Sequence, residues 1–145
     1  MRLILSFILI LSFIYPKDII KHGEEYPIDK FREQSVKIIK MVVKEISKSL
    51  PQKVDRYTTM TNIKDENLTL IYTFEINTGS KKDEAVKKED RPRMEKAITK
   101  GVCKSSKRFL DADVELKYEY ISAITKNRLF TFSITKEKCK DLKYD

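Results

Sequence analysis

The chain has 145 residues, of which 41% are hydrophobic and 36% are charged, and its formal net charge is +8. This length suits one domain with one core, and the periodic placement of the apolar residues argues against a disordered chain. The basic residues are mostly lysines interleaved with acidic residues, which is typical of a solvated surface and disfavours a nucleic-acid-binding protein.

The chain begins with a short apolar segment. A positively charged start precedes an unbroken apolar run over residues 3–15, which has the length of a secretory signal peptide and falls short of a transmembrane helix. We therefore expect residues 1–16 to be a signal peptide, 17–27 a linker and 28–145 a single domain in the periplasm or secreted from the cell. Because no small-x-small cleavage site follows, the alternative is a protein anchored in the inner membrane by residues 1–16.

Residues 28–50 show helical periodicity. The apolar residues that recur at spacings of three and four are Val36, Ile39, Val43, Ile46 and Leu50. They predict an amphipathic helix that ends before Pro51. Ile38, Met41 and Val42 widen its apolar surface, so we expect the helix to lie deep in a groove of the sheet.

Two strands are predicted next, over residues 56–63 and 68–77. In the second strand the apolar residues alternate with more polar ones; they are Leu68, Leu70, Tyr72, Phe74 and Ile76. This period of two indicates a strand with one buried face, in an antiparallel sheet. Residues 64–67 are predicted to be the turn of a hairpin.

The middle of the chain is strongly polar. Residues 78–90 carry lysines and acids in near balance, which predicts a mobile loop and not a polybasic patch. Pro92 suits the first turn of a second helix. The residues expected to point inward from it are Met94, Ala97, Ile98, Val102 and Phe109.

A second hairpin closes the predicted domain. Its strands carry alternating apolar residues, namely Val114, Leu116, Tyr118 and Tyr120, then Phe130, Phe132 and Ile134, and residues 125–128 are the predicted turn. The order helix, hairpin, helix, hairpin predicts an α+β domain. We expect a four-stranded antiparallel sheet with two helices on one face.

The two cysteines, Cys103 and Cys139, are predicted to form a disulfide, as a lone pair in an exported chain usually does. Two cysteines and the single histidine, His22, cannot complete a four-ligand zinc site, and the spacing is not that of a Cys-x-x-Cys redox centre. We therefore expect no metal and no cofactor.

The sequence offers little for catalysis. No Ser-His-Asp or Cys-His set can be assembled around His22, which precedes the predicted domain. Glu75, Glu115 and Glu119 share the predicted exposed face and could act as paired carboxylates of a small glycan hydrolase. Lys117 lies among these glutamates, which is typical of an ordinary solvent-exposed face of a strand. We therefore expect a protein that is not an enzyme.

Asn67 lies in the segment Asp65-Glu66-Asn67-Leu68-Thr69. This segment satisfies the Asn-x-Thr pattern of N-glycosylation, and its acid two residues before the asparagine resembles the extended acceptor of bacterial periplasmic glycosylation. Ordinary turn chemistry explains the same residues, so both interpretations stay open.

Further motifs are shared with other exported proteins. They are Leu50-Pro51-x-x-Val54-Asp55 with Thr58, Tyr72-x-Phe74, Cys103, Arg108-Phe109-Leu110, Tyr118-x-Tyr120, Phe130-x-Phe132-x-Ile134 and Cys139. On these residues the chain resembles a loose group of small exported bacterial single-domain proteins of unknown function. The resemblance extends from Leu50 to Cys139, covers most of the mature chain and implies no catalytic residue. It departs at Ala112-Asp113, where a glycine is expected.

The leading hypothesis is an exported, non-catalytic interaction protein whose partner is another envelope protein. The membrane would be contacted only through an uncleaved leader. Asp55, Arg56 and Thr58 are the candidate partner contacts, because the core does not require a charged cluster there. Asp55 could instead brace the turn after Pro51. The alternatives are an inhibitor or immunity protein of an envelope hydrolase, and the small glycan hydrolase.

Overall fold

The computed structural model describes residues 27–140 and 142. The predicted leader, His22 and all of the predicted linker except Pro27 lie outside the described residues. The elements in chain order are α1 (Ile28–Ser47), β1 (Gln52–Lys53), β2 (Thr58–Glu66), β3 (Thr69–Ile76), α2 (Asp83–Ser105), α3 (Lys107–Asp111), β4 (Glu115–Ser122), β5 (Arg128–Ile134) and α4 (Lys136–Lys140). Among these helices, none has the length and apolar character needed to cross a membrane.

The sheet has five strands in the order β1-β2-β3-β4-β5. The α+β class is confirmed, but the prediction of four antiparallel strands is wrong in two respects. First, β1 adds a two-residue edge strand, too short to show any alternation in the sequence. Second, β3 and β4 pair in parallel, because α2 and α3 carry the chain back to the end of the sheet where β3 began.

The predicted hairpin of β2 and β3 is present, with a tighter turn. Glu66 pairs directly with Thr69, so the turn consists of Asn67 and Leu68, and Asn67 has a φ of 55°. A register shift between Met60 and Asn62 breaks the alternation of β2. This irregularity explains why the sequence pattern of β2 is weaker than that of β3.

One face of the sheet, here called the core face, carries the aromatic residues. Tyr72 stacks on Tyr118 with ring centroids 5.1 Å apart, and Phe74 stacks on Tyr120 at 5.0 Å. Phe130 and Phe132 continue this row on β5. The buried residues of α1 and α2 belong to the same apolar cluster, so both long helices cover this face. The opposite side is called the open face below.

Helix α1 lies on β2 and is shallower than predicted. The predicted stripe does face the sheet, with Ile39 completely buried and Val43 and Ile46 packed against the core. Ile38 and Met41, however, are 47% and 62% exposed, so the expectation of a deep groove is wrong. The apolar surface that these two residues add faces solvent.

Helix α2 begins at Asp83, nine residues before the proline that was expected to start it. The predicted mobile loop over residues 78–90 is therefore wrong for most of its length. Asp83 and Glu84 stabilise the positive end of the helix, and buried Val86 anchors its first turns. Pro92 lies inside the helix at an exposed position, and as a proline it has no backbone N–H to donate there.

The inward face of α2 differs from the prediction at its centre. Val102 and Cys103 are buried, and Met94 and Ile98 pack against the core, but Ala97 is exposed and Thr99 is buried instead. Phe109 packs on the core from the separate helix α3. Arg91 lies over the ring of Phe132, 5.5 Å from its centroid, and ties α2 to β5.

Two features complete the second half of the domain. The structure joins Cys103 of α2 to Cys139 of α4 as a disulfide, with Cα atoms 5.6 Å apart. The turn before β4 contains Asp113 with a φ of 56°. Glycine adopts this left-handed conformation most easily, which accounts for the glycine that the resemblance leads one to expect there.

Candidate functional site

A cleft of about 600 Å³ opens at the edge of the core face where β2 begins and β3 ends. One wall is residues 55–58 and the other is the first half of α2. The lining residues are Asp55, Arg56, Tyr57 and Thr58, then Ile76, Asn77 and Thr78, then Lys81, Val86, Asp90, Arg93 and Met94. The volume lies within the usual range for ligand sites, and the lining is more apolar than polar. All three candidate contacts from the sequence, Asp55, Arg56 and Thr58, line this cleft.

The first wall is held by hydrogen bonds of its own backbone. One carboxylate oxygen of Asp55 accepts hydrogen bonds from the backbone N–H groups of Tyr57 at 2.7 Å and Thr58 at 2.8 Å. The Tyr57 hydrogen bond, together with that from Thr58, lowers the pKa of Asp55 below its ordinary value. The backbone N–H of Asn77 donates to the Tyr57 carbonyl at 2.8 Å, which ties this wall to the end of β3. Asp55 therefore braces the turn, as the alternative interpretation proposed.

The second wall carries an ion-pair network. Asp90 accepts hydrogen bonds from Lys81 and from Arg93, each at 3.2 Å, and Lys81 also pairs with Glu89 at 2.7 Å. Burial acts to raise the pKa of Asp90, but the bonds from Lys81 and Arg93 together outweigh it and the pKa is lowered. Asp90 is thus ionised at neutral pH and its charge is already balanced by two cations.

Tyr120 of β4 is affected by the charge of Asp55 in the first wall. Burial is the main reason that the pKa of Tyr120 is raised to about 12, and the negative charge of Asp55 adds to it. Tyr118 and Tyr72, farther along the row, also have raised pKa values because they are desolvated. These phenols stay protonated at physiological pH, so the row contributes packing and not a base.

Arg56 is a cation of the cleft that remains available to bind a partner. Its guanidinium makes no hydrogen bond or ion pair with any other residue in the described part of the chain. Beside it, the side chains of Val54 and Tyr57 are 58% and 59% exposed. Arginine and tyrosine are among the residue types that are enriched at protein–protein interfaces and among their energetically dominant residues.

The arrangement suits binding. Half-buried Ile76 and Met94 offer an apolar surface above buried Val86, and Arg56 offers a charge-assisted hydrogen bond to a carboxylate. The two carboxylates of the lining are already engaged, Asp55 by its own backbone and Asp90 by Lys81 and Arg93. Within residues 27–140 and 142, no group of three or more His, Cys, Asp or Glu side chains is placed to hold a metal ion.

The three glutamates of the hydrolase hypothesis lie on the open face, away from the cleft. Glu75 pairs with Lys126 at 3.0 Å, and Glu119 lies 3.7 Å from Arg128. Glu115 accepts a hydrogen bond from Thr69 at 3.4 Å. Each carboxylate thus has a cation or a hydroxyl partner, and none of the three lines the cleft.

Asn67 lies at the tip of the β2–β3 hairpin, at the opposite end of these strands from the cleft.

The cleft wall formed by α2 was missed in the sequence because residues 78–90 were interpreted as a loop. The signal that could have identified it is the pair Asp83-Glu84 followed by Val86, which is a helix start with an apolar anchor.

Three solved structures share this fold. A protein of Pseudomonas aeruginosa that is inferred to be secreted matches with a TM-score of 0.65 and 16% identity, over 75% of this chain and 96% of its own. The pilotin EpsS of the type 2 secretion system of Vibrio vulnificus matches with a TM-score of 0.65 and 11% identity, over 79% and 99%. The type II secretion system pilotin AspS of Vibrio cholerae matches with a TM-score of 0.58 and 15% identity, over 77% and 98%.

At these identities the likeness shows a shared fold. None of the three structures carries the name of an enzyme. No curated protein matches the chain. A family model does match, over residues 33–130, which include most of α1, both walls of the cleft and the start of β5. The chain therefore belongs to the family described as Domain of unknown function (DUF8479).

Proposed function

We propose that this chain is an exported, non-catalytic domain that holds a segment of another envelope protein in the cleft between residues 55–58 and α2. The observation that carries the proposal is the unpaired guanidinium of Arg56 beside exposed Tyr57 at the mouth of a mostly apolar cleft. These features fit a segment that combines apolar side chains with an acidic residue.

The fold supports an envelope partner. Two of the structures with this fold are pilotins of type II secretion systems, and the third protein is inferred to be secreted. Secretion systems are assemblies of many proteins, so a small domain of this fold that binds one envelope protein is consistent with these neighbours. The specific partner of this chain belongs to the proposal.

Site-specific photo-crosslinking in the native cells tests the proposal. A photoreactive phenylalanine analogue replaces Tyr57 in the full-length chain, and the control carries it at Met41, which is similarly exposed on the outer side of α1. We expect one crosslinked partner from position 57 and none from position 41. The crosslinked peptide of the partner, identified by mass spectrometry, should contain apolar and acidic residues.

A charge reversal provides the second arm. Arg56→Glu should reduce the crosslinking yield at position 57 at least tenfold, because it places a like charge against the acidic segment. Arg128→Glu is the matched control, since Arg128 is also exposed but lies on the open face next to Glu119. Equal yields from positions 57 and 41, or an unchanged yield in Arg56→Glu, would overturn the proposal.

The same experiment bears on the inhibitor hypothesis. If the captured partner is an envelope hydrolase, an equimolar complex should abolish its activity, and Arg56→Glu should restore it. Any other captured partner removes that hypothesis.

A further inference from the structure

The Asn-x-Thr motif around Asn67 has no part in the cleft. The structure places it at the tip of the β2–β3 hairpin. The segment Asp65-Glu66-Asn67-Leu68-Thr69 reverses the chain through a two-residue turn. Asn67 occupies the first turn position with a φ of 55°, and its side chain is exposed. An enzyme that modifies a folded protein can reach such a tip without unfolding it.

The residues of the motif are available for recognition. In the part of the chain that the structure describes, neither the carboxamide of Asn67 nor the carboxylate of Asp65 makes a hydrogen bond or an ion pair. The hydroxyl of Thr69 donates only a long hydrogen bond, 3.4 Å, to Glu115. Glu66, which the motif does not specify, is the engaged residue, paired with Lys64 at 2.8 Å. Few interactions must therefore be broken when a transferase binds this tip.

We propose that Asn67 is an N-glycosylation site, modified after export by a transferase that reads the acid at position 65 together with Thr69. The donor is an oligosaccharide linked to a polyprenyl diphosphate. The amide nitrogen of Asn67 forms a bond to the anomeric carbon of the first sugar, and the bond from that carbon to the diphosphate oxygen breaks. The electron pair leaves with the polyprenyl diphosphate, and the amide proton passes to a base of the transferase.

The position of the site keeps the glycan away from the cleft. The cleft includes Thr58 at the start of β2, whereas Asn67 follows the last residue of the same strand. Strand β2 has nine residues, which span about 30 Å at the usual rise per residue. A glycan on Asn67 therefore leaves the cleft accessible, and this proposal does not depend on the proposed function.

The test is co-expression of the full chain with a bacterial oligosaccharyltransferase and its lipid-linked donor, next to a strain with an inactive transferase. Intact-mass measurement of the wild-type protein should show an increase of one oligosaccharide, located on the peptide that contains Asn67. Asn67→Gln should abolish the increase, and Asp65→Ala and Thr69→Val should each reduce the modified fraction at least tenfold. Glu66→Ala and Thr69→Ser, as controls, should keep it.

Folding of each variant is checked by circular dichroism, and a known acceptor protein in the same cells shows that the transferase is active. An unmodified wild-type chain beside a modified acceptor would overturn the proposal. So would a mass increase that persists in Asn67→Gln or in Asp65→Ala.

Discussion

Reduction of the Cys103–Cys139 disulfide should lower the free energy of unfolding by about 4 kcal/mol. The bond joins residues 36 positions apart and encloses α3, β4 and β5. With the bond intact, the unfolded chain cannot open this segment, so it gains less entropy on unfolding. A loop of this length corresponds to about 4 kcal/mol at 25 °C in the loop-entropy model. Since domains of this size are usually stable by roughly 5–15 kcal/mol, the bond provides a large part of the total.

Urea unfolding followed by circular dichroism measures this difference. The oxidised chain is compared with the same chain in a phosphine reductant, and alkylation confirms that both thiols are free. The dependence of the free energy on urea should become steeper after reduction, because the unfolded chain then exposes more surface. The double variant Cys103→Ala/Cys139→Ala is the control, and the reductant should leave its stability unchanged. A difference below about 1 kcal/mol between the oxidised and fully reduced chains would refute the loop-entropy argument.

Two further predictions concern polar groups near α2. The hydroxyl of Thr99 is buried with no hydrogen-bond partner among the described residues, so Thr99→Val should raise the free energy of unfolding by about 1 kcal/mol in the same titration. A loss of stability would show that the hydroxyl is bound. Hydrogen bonds from Thr125 and Asn127 hold the pKa of Asp83 below its ordinary value of 3.8, so its ionised form stabilises the fold at neutral pH and loses this effect as the pH falls below 3.8. Asp83→Asn should therefore lower the melting temperature at pH 7, and the difference from wild type should shrink below about pH 4; a constant difference would contradict this reasoning.

Strands β3, β4 and β5 could be predicted because each carries an alternation of aromatic or aliphatic residues with more polar ones. Leu70, Tyr72 and Phe74 alternate on β3, and Leu116, Tyr118 and Tyr120 alternate on β4. Alternation identifies a strand but does not say which strand lies beside it. The parallel pairing of β3 with β4 depends on the long connection through α2.

The start of α2 was missed because its stability comes from tertiary contacts. Residues 83–91 contain few apolar residues, and Pro92 gives a strong local signal for a helix start. In the structure, the carboxylate of Asp83 accepts hydrogen bonds from the hydroxyl of Thr125 at 2.6 Å and the amide of Asn127 at 3.1 Å. These partners lie more than 40 residues away along the chain, so a local pattern cannot reveal them.

One of the two walls of the candidate site could be predicted from the sequence. Asp55, Arg56 and Thr58 were identified because they form a polar cluster that the core does not need, and they line the cleft. The opposite wall, with Val86 and Met94, belongs to the part of α2 that had been interpreted as loop and helix start. The role of Asp55 within its own wall depends on backbone geometry, which the sequence shows only as a tendency of aspartate to stabilise turns.

Both walls of the cleft are attached to the same end of the sheet, where β3 and β4 end. Residues 55–58 are tied to the end of β3 by the hydrogen bond from Asn77 to Tyr57, and α2 is tied to the turn after β4 by Asp83. The ends of β3 and β4 are themselves neighbours, since Ile76 pairs with Ser122. A cleft whose walls are anchored in this way needs little reordering when it binds, and less of the binding free energy is lost to entropy. This anchoring supports the proposal that the cleft holds a segment of a partner protein.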